Sequence, residues 1–196
     1  MTLILSKKYN PLFDSKARYF IITGGRGSGK SFAVTVFLTL LTMSRGIRIL
    51  FTRFTMTSAH LSIIPEFLEK IGLLGFDETF NINKAEVVNA ENKSDILFRG
   101  IRTSAGNQTA SLKSLQGIST WVLDEAEELV DENIFDTIDL SIREKDIQNR
   151  IILILNPVTK EHWIYKRFFE EKGIEGGFNG VKDNVCYIHS TYLDNK

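Results

Sequence analysis

Apolar residues in this chain gather in short dense blocks, and the period inside each block predicts its conformation. Tyr19–Thr23, "IRILFT" at 47–52, "TWVLD" at 120–124 and "RIILIL" at 150–155 are continuous apolar runs of strand length, the pattern of strands covered on both faces. "NVCYIHS" predicts a last strand. Lys30–Ser44 predicts a helix buried on most sides. Residues 58–72 carry Ile64, Phe67, Leu68 and Ile71 at helical spacing and predict a helix bent or restarted at Pro65. Ile134, Phe135, Ile138 and Ile142 share one helical face. Trp163, Ile164, Phe168 and Phe169 mark a further helix, with Thr159 as its N-cap. "AEVVNAENKSDILFRGI" reads as a hairpin, two apolar runs about a polar turn. Buried strands alternating with helices predict an α/β fold: a mainly parallel central sheet with helices on both faces and an antiparallel hairpin added to it. Ligands of such sheets bind at the carboxyl ends of the strands.

Size and composition narrow the class. A chain of 196 residues, 43% hydrophobic and 24% charged, fits one globular domain spanning 1–196. The longest apolar run, Phe32–Met43, is interrupted by threonines and is too short to span a bilayer, so no membrane association is expected. The first ten residues lack the pattern of a signal peptide. One cysteine, Cys186, cannot form an internal disulfide, which suits a reducing compartment. Net charge is zero but unevenly spread. Residues 15–65 hold seven Lys or Arg and no acid, and residues 124–146 hold ten acids against two basic residues. The basic block suits an anionic ligand; the neutral total argues against a protein that coats nucleic acid by itself.

The most specific motif is "GGRGSGKS", Gly24–Ser31, which satisfies G-x-x-x-x-G-K-[ST] between a predicted strand and a predicted helix. Gly24, Gly25, Gly27 and Gly29 let backbone N–H groups converge on phosphate oxygens, with Arg26 and Ser28 between them. Lys30 is expected at the β- and γ-phosphates of a nucleotide and Ser31 at Mg²⁺. Asp124 ends the "TWVLD" strand and is expected to anchor the Mg²⁺ shell; Glu125, next to it, is expected to orient the attacking water. Glu127 and Glu128 are expected to be solvated. "NKSD", Asn92–Asp95, matches the guanine-reading signature but precedes the acid strand, and is read as turn chemistry. His60, His162 and His189 are dispersed, and no metal site of histidines or cysteines is expected. Phe13, Arg18 and Tyr19 precede the loop and are candidates to stack on a base, although Phe13 and Tyr19 are read first as core.

Taken together, "RYFIITGGRGSGKS", "FRGI" followed by "LKSLQGISTWVLDEAEEL", "ILILNPVTKEHWIYKRFF" and "IHSTYLDN" resemble the ATPase domain of the tailed-bacteriophage large terminase. The resemblance covers nearly the whole chain. It implies an additional-strand, catalytic-glutamate P-loop NTPase of RecA-like fold that hydrolyses ATP with Mg²⁺ and drives double-stranded DNA into a procapsid. It further implies a homo-oligomeric ring, a pentamer, on the portal protein, a small terminase subunit as partner, a monomer in isolation, and a place in the cytoplasm of the infected host. Lys30, Ser31, Asp124 and Glu125 match the family's phosphate, metal and catalytic positions, and Asn156 its coupling motif. Ile154 stands where family members often carry a small hydroxylated residue. Arg26 gains a role at the transferring phosphoryl or at a neighbouring subunit. Lys113, eleven residues before Asp124, matches a cation supplied in trans, with Arg102 and Arg143 as rivals. Arg53 is assigned to a DNA-facing channel. The family's nuclease domain follows the ATPase domain; no second acid cluster suits two-metal cutting, so no nuclease activity is expected of these residues. A related helicase and a nucleotide-controlled binding module are the competing readings.

Overall fold

A computed structural model describes residues 4–56, 59–103, 106–107, 112 and 115–195. Ten strands form one sheet: β1 (Tyr19–Gly24), β2 (Arg48–Thr55), β3 (Phe80–Ile82), β4 (Glu86–Asn89), β5 (Asp95–Thr103), β6 (Gly106–Asn107), β7 (Thr120–Asp124), β8 (Arg150–Leu155), β9 (Gly180–Lys182) and β10 (Val185–Ser190). Their order is β3-β4-β5-β2-β7-β8-β1-β10-β9, and β6 pairs with β5. The six central strands from β5 to β10 run parallel, as continuous apolar runs buried on both faces require. Antiparallel strands finish the edges, among them the expected β4–β5 hairpin. Its tip contains "NKSD". There Lys93 takes a left-handed φ of 66°, and the Asn92 side chain accepts from the Ser94 N–H at 2.8 Å, which is turn chemistry.

Among the described residues, the helices with given bounds that flank the sheet are α1 (Pro11–Asp14), α2 (Lys30–Leu41), α3 (Ala59–Leu73), α4 (Glu132–Asp139) and α5 (Trp163–Tyr165), the last continuing as a π-helical turn over Lys166–Glu170. Alternation along the strands divides the core. Phe20, Ile22, Ile49, Phe51 and Val122 face α2 and α3; Ile21, Leu50, Trp121, Leu123 and Leu153 face α4 and α5. The helix α2 is buried on most sides, and its threonines are compatible with that because Thr39 donates to the Thr35 carbonyl at 2.9 Å. The helix α3 is assigned without interruption through Pro65, so it is not restarted there. Thr159 does not cap α5. Its carbonyl closes a turn with the His162 N–H, and the His162 ring nitrogen Nδ1 caps the helix by accepting from the Ile164 N–H at 3.2 Å.

One buried polar chain ties β2 to β7. The fully buried Trp121 donates its indole N–H to Thr52 Oγ1 at 2.9 Å, and Thr52 donates to the Val122 carbonyl at 2.9 Å. Substitution of Thr52 by valine keeps the volume and orphans the indole N–H. It is expected to cost about 1–3 kcal/mol in urea unfolding; a loss within error of zero would show that the indole finds another acceptor.

Candidate nucleotide site

The register of the central strands brings the sequence candidates to one edge. Thr23 pairs with Leu155, Asp124 with Ile154 and Thr52 with Leu123, so β1, β8, β7 and β2 end nearly level. A cavity of about 340 Å³ opens there. It is lined by Gly25–Phe32 from the loop, by Asp124, Glu125 and Glu127 after β7, by Ile154–Asn156 after β8, and by Arg53 from β2.

The loop between β1 and α2 is shaped by glycines where the backbone demands them. Gly27 and Gly29 have φ of +74° and +82°. At Gly24 a Cβ would stand 2.1 Å from the Ser190 carbonyl oxygen of β10. The loop is also held from outside. Tyr9 donates to the Ser28 carbonyl at 2.9 Å, and its hydroxyl lies 2.6 Å from Ser190 Oγ. Asn195 donates to the Gly27 carbonyl at 3.1 Å. Lys30 is 9% exposed and turns its ammonium onto the loop's own carbonyls, Gly24 at 2.5 Å and Gly25 at 3.0 Å. Burial pushes its pKa below the ordinary lysine value, while Glu127 and Asp124 pull the other way. Ser31 is exposed at the helix start, and Arg26 is exposed with no hydrogen bond or ion pair to the described residues.

The acids after β7 differ from one another. Asp124 is 4% exposed, and Arg53 grips its Oδ2 through Nε at 2.8 Å and Nη2 at 2.7 Å. Glu125 is about half exposed and sits in the left-handed region, φ 55° and ψ 46°. That conformation costs a non-glycine residue about 1–2 kcal/mol. It turns the side chain out of line with the strand and into the cavity, where Arg53 Nε lies 3.7 Å away. Burial raises the Glu125 pKa above the ordinary glutamate value; Arg53 opposes this, and Asp124, Glu128 and Glu127 add to it. Glu127 is not solvated as expected. Its Oε1 accepts from Asn156 Nδ2 at 2.6 Å, and its Oε2 is buried with no partner among the described residues. The short 3-10 turn Ala126–Glu128 folds it back under the loop. Glu128 is exposed.

Several expectations are corrected or fall elsewhere. Arg53, assigned to a DNA-facing channel, stands in the cavity wall, where it ends the row Ile49–Phe51–Arg53 beside Val122–Asp124 on the α2 face. Arg18 and Tyr19 cannot stack on a base at the loop. They sit at the amino end of β1, where both bind Asp139, at 2.6 and 2.8 Å. Phe13 is not a core residue: it is 43% exposed and packs edge-on against Phe37. Arg143 lines a separate cleft with Gln116 and Glu144, and Arg102 is exposed on β5. Lys113 lies outside the described residues. His162, passed over as dispersed, lies 3.1 Å from the Glu127 carbonyl through Nε2 and so joins α5 to the acid turn. No cluster of three His, Cys, Asp or Glu that could hold a metal occurs among the described residues.

A parallel sheet with a G-x-x-x-x-G-K-S loop between strand and helix, and acids at the end of a nearby strand, defines a P-loop protein. The chain belongs to the phage terminase large subunit family, whose model matches residues 16–196. The large terminase subunit of Bacillus phage SPP1 is 24% identical over 211 residues, covering 97% of this chain and 47% of that protein. The chain therefore spans about half the length of that curated relative. Among solved structures, the large terminase of a thermophilic bacteriophage superposes with a TM-score of 0.74 at 12% identity, over 98% of this chain and 47% of that one. The N-terminal domain of the bacteriophage phi29 DNA packaging ATPase superposes with a TM-score of 0.70 at 16% identity, over 95% and 97% of the two chains. At such identities these structures speak for the fold.

Because the space a Gly24 Cβ would need is taken by Ser190, Gly24→Ala must displace β10 from β1. We expect a loss of about 3 kcal/mol in denaturant unfolding. A loss under about 0.5 kcal/mol, the scale of an ordinary surface substitution, would mean that the two strands are less tightly coupled than their register implies.

Proposed function

We propose that this chain hydrolyses ATP with Mg²⁺ and forms the part of a large terminase that drives double-stranded DNA into a procapsid. The observation that carries the reading is the meeting of the glycine loop, Lys30, Asp124 and Glu125 in one cavity at level strand ends. Support also comes from the large terminase of the thermophilic phage, which was solved with ATP-γ-S at a TM-score of 0.70 to this chain. The backbone N–H groups of Gly27–Ser31 and the amino end of α2 offer the phosphates converging donors and a favourable dipole. Lys30 leaves the Gly24 and Gly25 carbonyls for the phosphates, recovering in charge interaction what burial costs it. Asn156, already bound to Glu127, passes a change at the terminal phosphate to α5 through the His162 contact.

The donor set suits a hydrated Mg²⁺. The Ser31 hydroxyl is open, Asp124 is a strand-end carboxylate, and Glu127 Oε2 is a buried acceptor with no partner among the described residues. When bound, the ion supplies charge neutralisation at the terminal phosphates. Glu125 takes the proton side of the reaction. It orients a water and accepts its proton, and a carboxylate with a raised pKa is a better base for that task than a free one. Arg26, exposed on the loop, serves the transferring phosphoryl or a neighbouring subunit, and Lys113, Arg102 and Arg143 are the candidates for a cation donated across a ring.

As partners we propose duplex DNA, the portal protein, the small terminase subunit and further copies of the chain in a pentameric ring, in the host cytoplasm. The phi29 genome packaging motor assembly, at a TM-score of 0.71, lends support to an assembled working form. No described helix is long and apolar enough to cross a membrane. The test uses motor assembled on the portal. Glu125→Gln is expected to bind ATP at close to the normal affinity while packaging and phosphate release fall at least about a hundredfold. Packaging of intact duplex at the normal rate would remove Glu125 from the catalytic role, and strand separation in its place would favour a helicase.

A further inference from the structure

The cavity contains one strongly held cation that the phosphate loop does not supply. Arg53 is mostly buried, with 22% of its side chain exposed, and its hydrogen bonds are spent entirely on Asp124 among the described residues. Its next nearest acid is Glu125, and Glu66 on α3 adds to the negative field around it. A residue whose role was to join β2 to β7 would not be needed here. Four paired positions, from Ile49↔Thr120 to Thr52↔Leu123, and the Trp121–Thr52 bond already do that. The arginine instead lies on the side of Asp124 and Glu125 remote from the loop strand, since the sheet order is β2-β7-β8-β1. Phosphates seated along Gly25–Ser31 and extending toward Glu125 would end facing it.

The local charge balance gives the arginine an alternative partner. Asp124, Glu125 and Glu127 line the same cavity, and of the cations that line it Arg53 and Lys30 are the two drawn inward, Arg26 being exposed. In the present arrangement both are parked on groups of the protein itself, Lys30 on loop carbonyls and Arg53 on Asp124. A terminal phosphate carries more charge than a carboxylate and matches the guanidinium fork at least as well. Resting on the ATPase reading, we propose that Arg53 is the site's sensor of the terminal phosphate: it holds Asp124 while no nucleotide is bound and moves its guanidinium to the γ-phosphate when ATP enters. The same movement frees Asp124 Oδ2, the oxygen that Arg53 now covers twice. Binding of a triphosphate would then be what makes the acid available, while a diphosphate would leave the Arg53–Asp124 pair closed.

The test compares ATP-γ-S with ADP in buffer free of magnesium, by calorimetry on the whole chain, so that loss of the metal anchor does not enter. In Arg53→Gln we expect affinity for ATP-γ-S to fall about ten- to a hundredfold, the worth of a charge-assisted hydrogen bond, while affinity for ADP changes less than about threefold. A purely structural arginine would lower both affinities equally, and that result, or no loss at all, overturns the proposal. Should Arg53→Gln fail to fold, Arg53→Lys carries the test. It keeps the charge beside Asp124 without the fork, and is expected to lose about tenfold for ATP-γ-S alone; unchanged ATP-γ-S affinity in that variant would equally overturn it. A wild-type chain that binds neither nucleotide would sink the ATPase reading and this proposal with it, whereas a wild type that prefers ATP-γ-S alongside an Arg53→Gln variant with the same preference sinks the proposal alone.

Discussion

Everything in the site depends on β1, β8, β7 and β2 ending at the same level of one parallel sheet. The pairs Thr23↔Leu155, Asp124↔Ile154 and Thr52↔Leu123 fix that level. A shift of one residue in any of them would turn a functional side chain to the opposite face of the sheet. The strands hold register because both faces are packed. The row Ile49, Phe51 and Val122 lies under α2 and α3, and the row Leu50, Trp121 and Leu123 lies under α4 and α5. Arg53 and Asp124 are the next members of the first row, displaced past the last apolar layer into the cavity. The core thus ends where the chemistry begins, and the same alternation that builds one sets the other.

The site is assembled under electrostatic tension. Three carboxylates and two inward cations share a partly buried cavity, and each cation rests on a group of the protein itself. Burial lowers the Lys30 pKa and raises that of Glu125, so each departs from its ordinary value in the direction that disfavours its charge. Left-handed backbone at Glu125 adds conformational cost. On the proposed reading, a phosphate would offset the cost at Lys30 by pairing with its ammonium, while the costs at Glu125 remain. The contact from Glu127 through His162 joins the cavity wall to α5.

Most of the sheet was legible in the sequence because buried parallel strands need dense apolar runs, and "YFIIT", "TWVLD" and "RIILIL" have them. The loop was legible because left-handed turns need glycine at Gly27 and Gly29. Family membership followed from segments rather than from any single residue. What stayed hidden depends on pairing between distant strands. Arg53 looked like a surface cation until β2 was set beside β7, although its alternation with Ile49 and Phe51 on the Val122 face was a usable signal. Glu127 looked solvated among its acidic neighbours, whereas a 3-10 turn carries it back to Asn156. His162 looked dispersed because the cap and the carbonyl it serves lie on different segments. Arg18 and Tyr19 were misplaced for a simpler reason: adjacency to the loop in sequence became separation by the length of β1.

Lys30 and Arg53 both rest on groups of the protein, and on the proposed reading phosphate releases them. A crystal structure of this chain with a non-hydrolysable ATP analogue tests it most directly. Phosphates are expected within the Gly25–Ser31 loop, with Lys30 Nζ withdrawn from the Gly24 carbonyl and the guanidinium of Arg53 on the terminal phosphate. A nucleotide bound elsewhere, or phosphates in the loop with both cations still on Gly24 and Asp124, would contradict it.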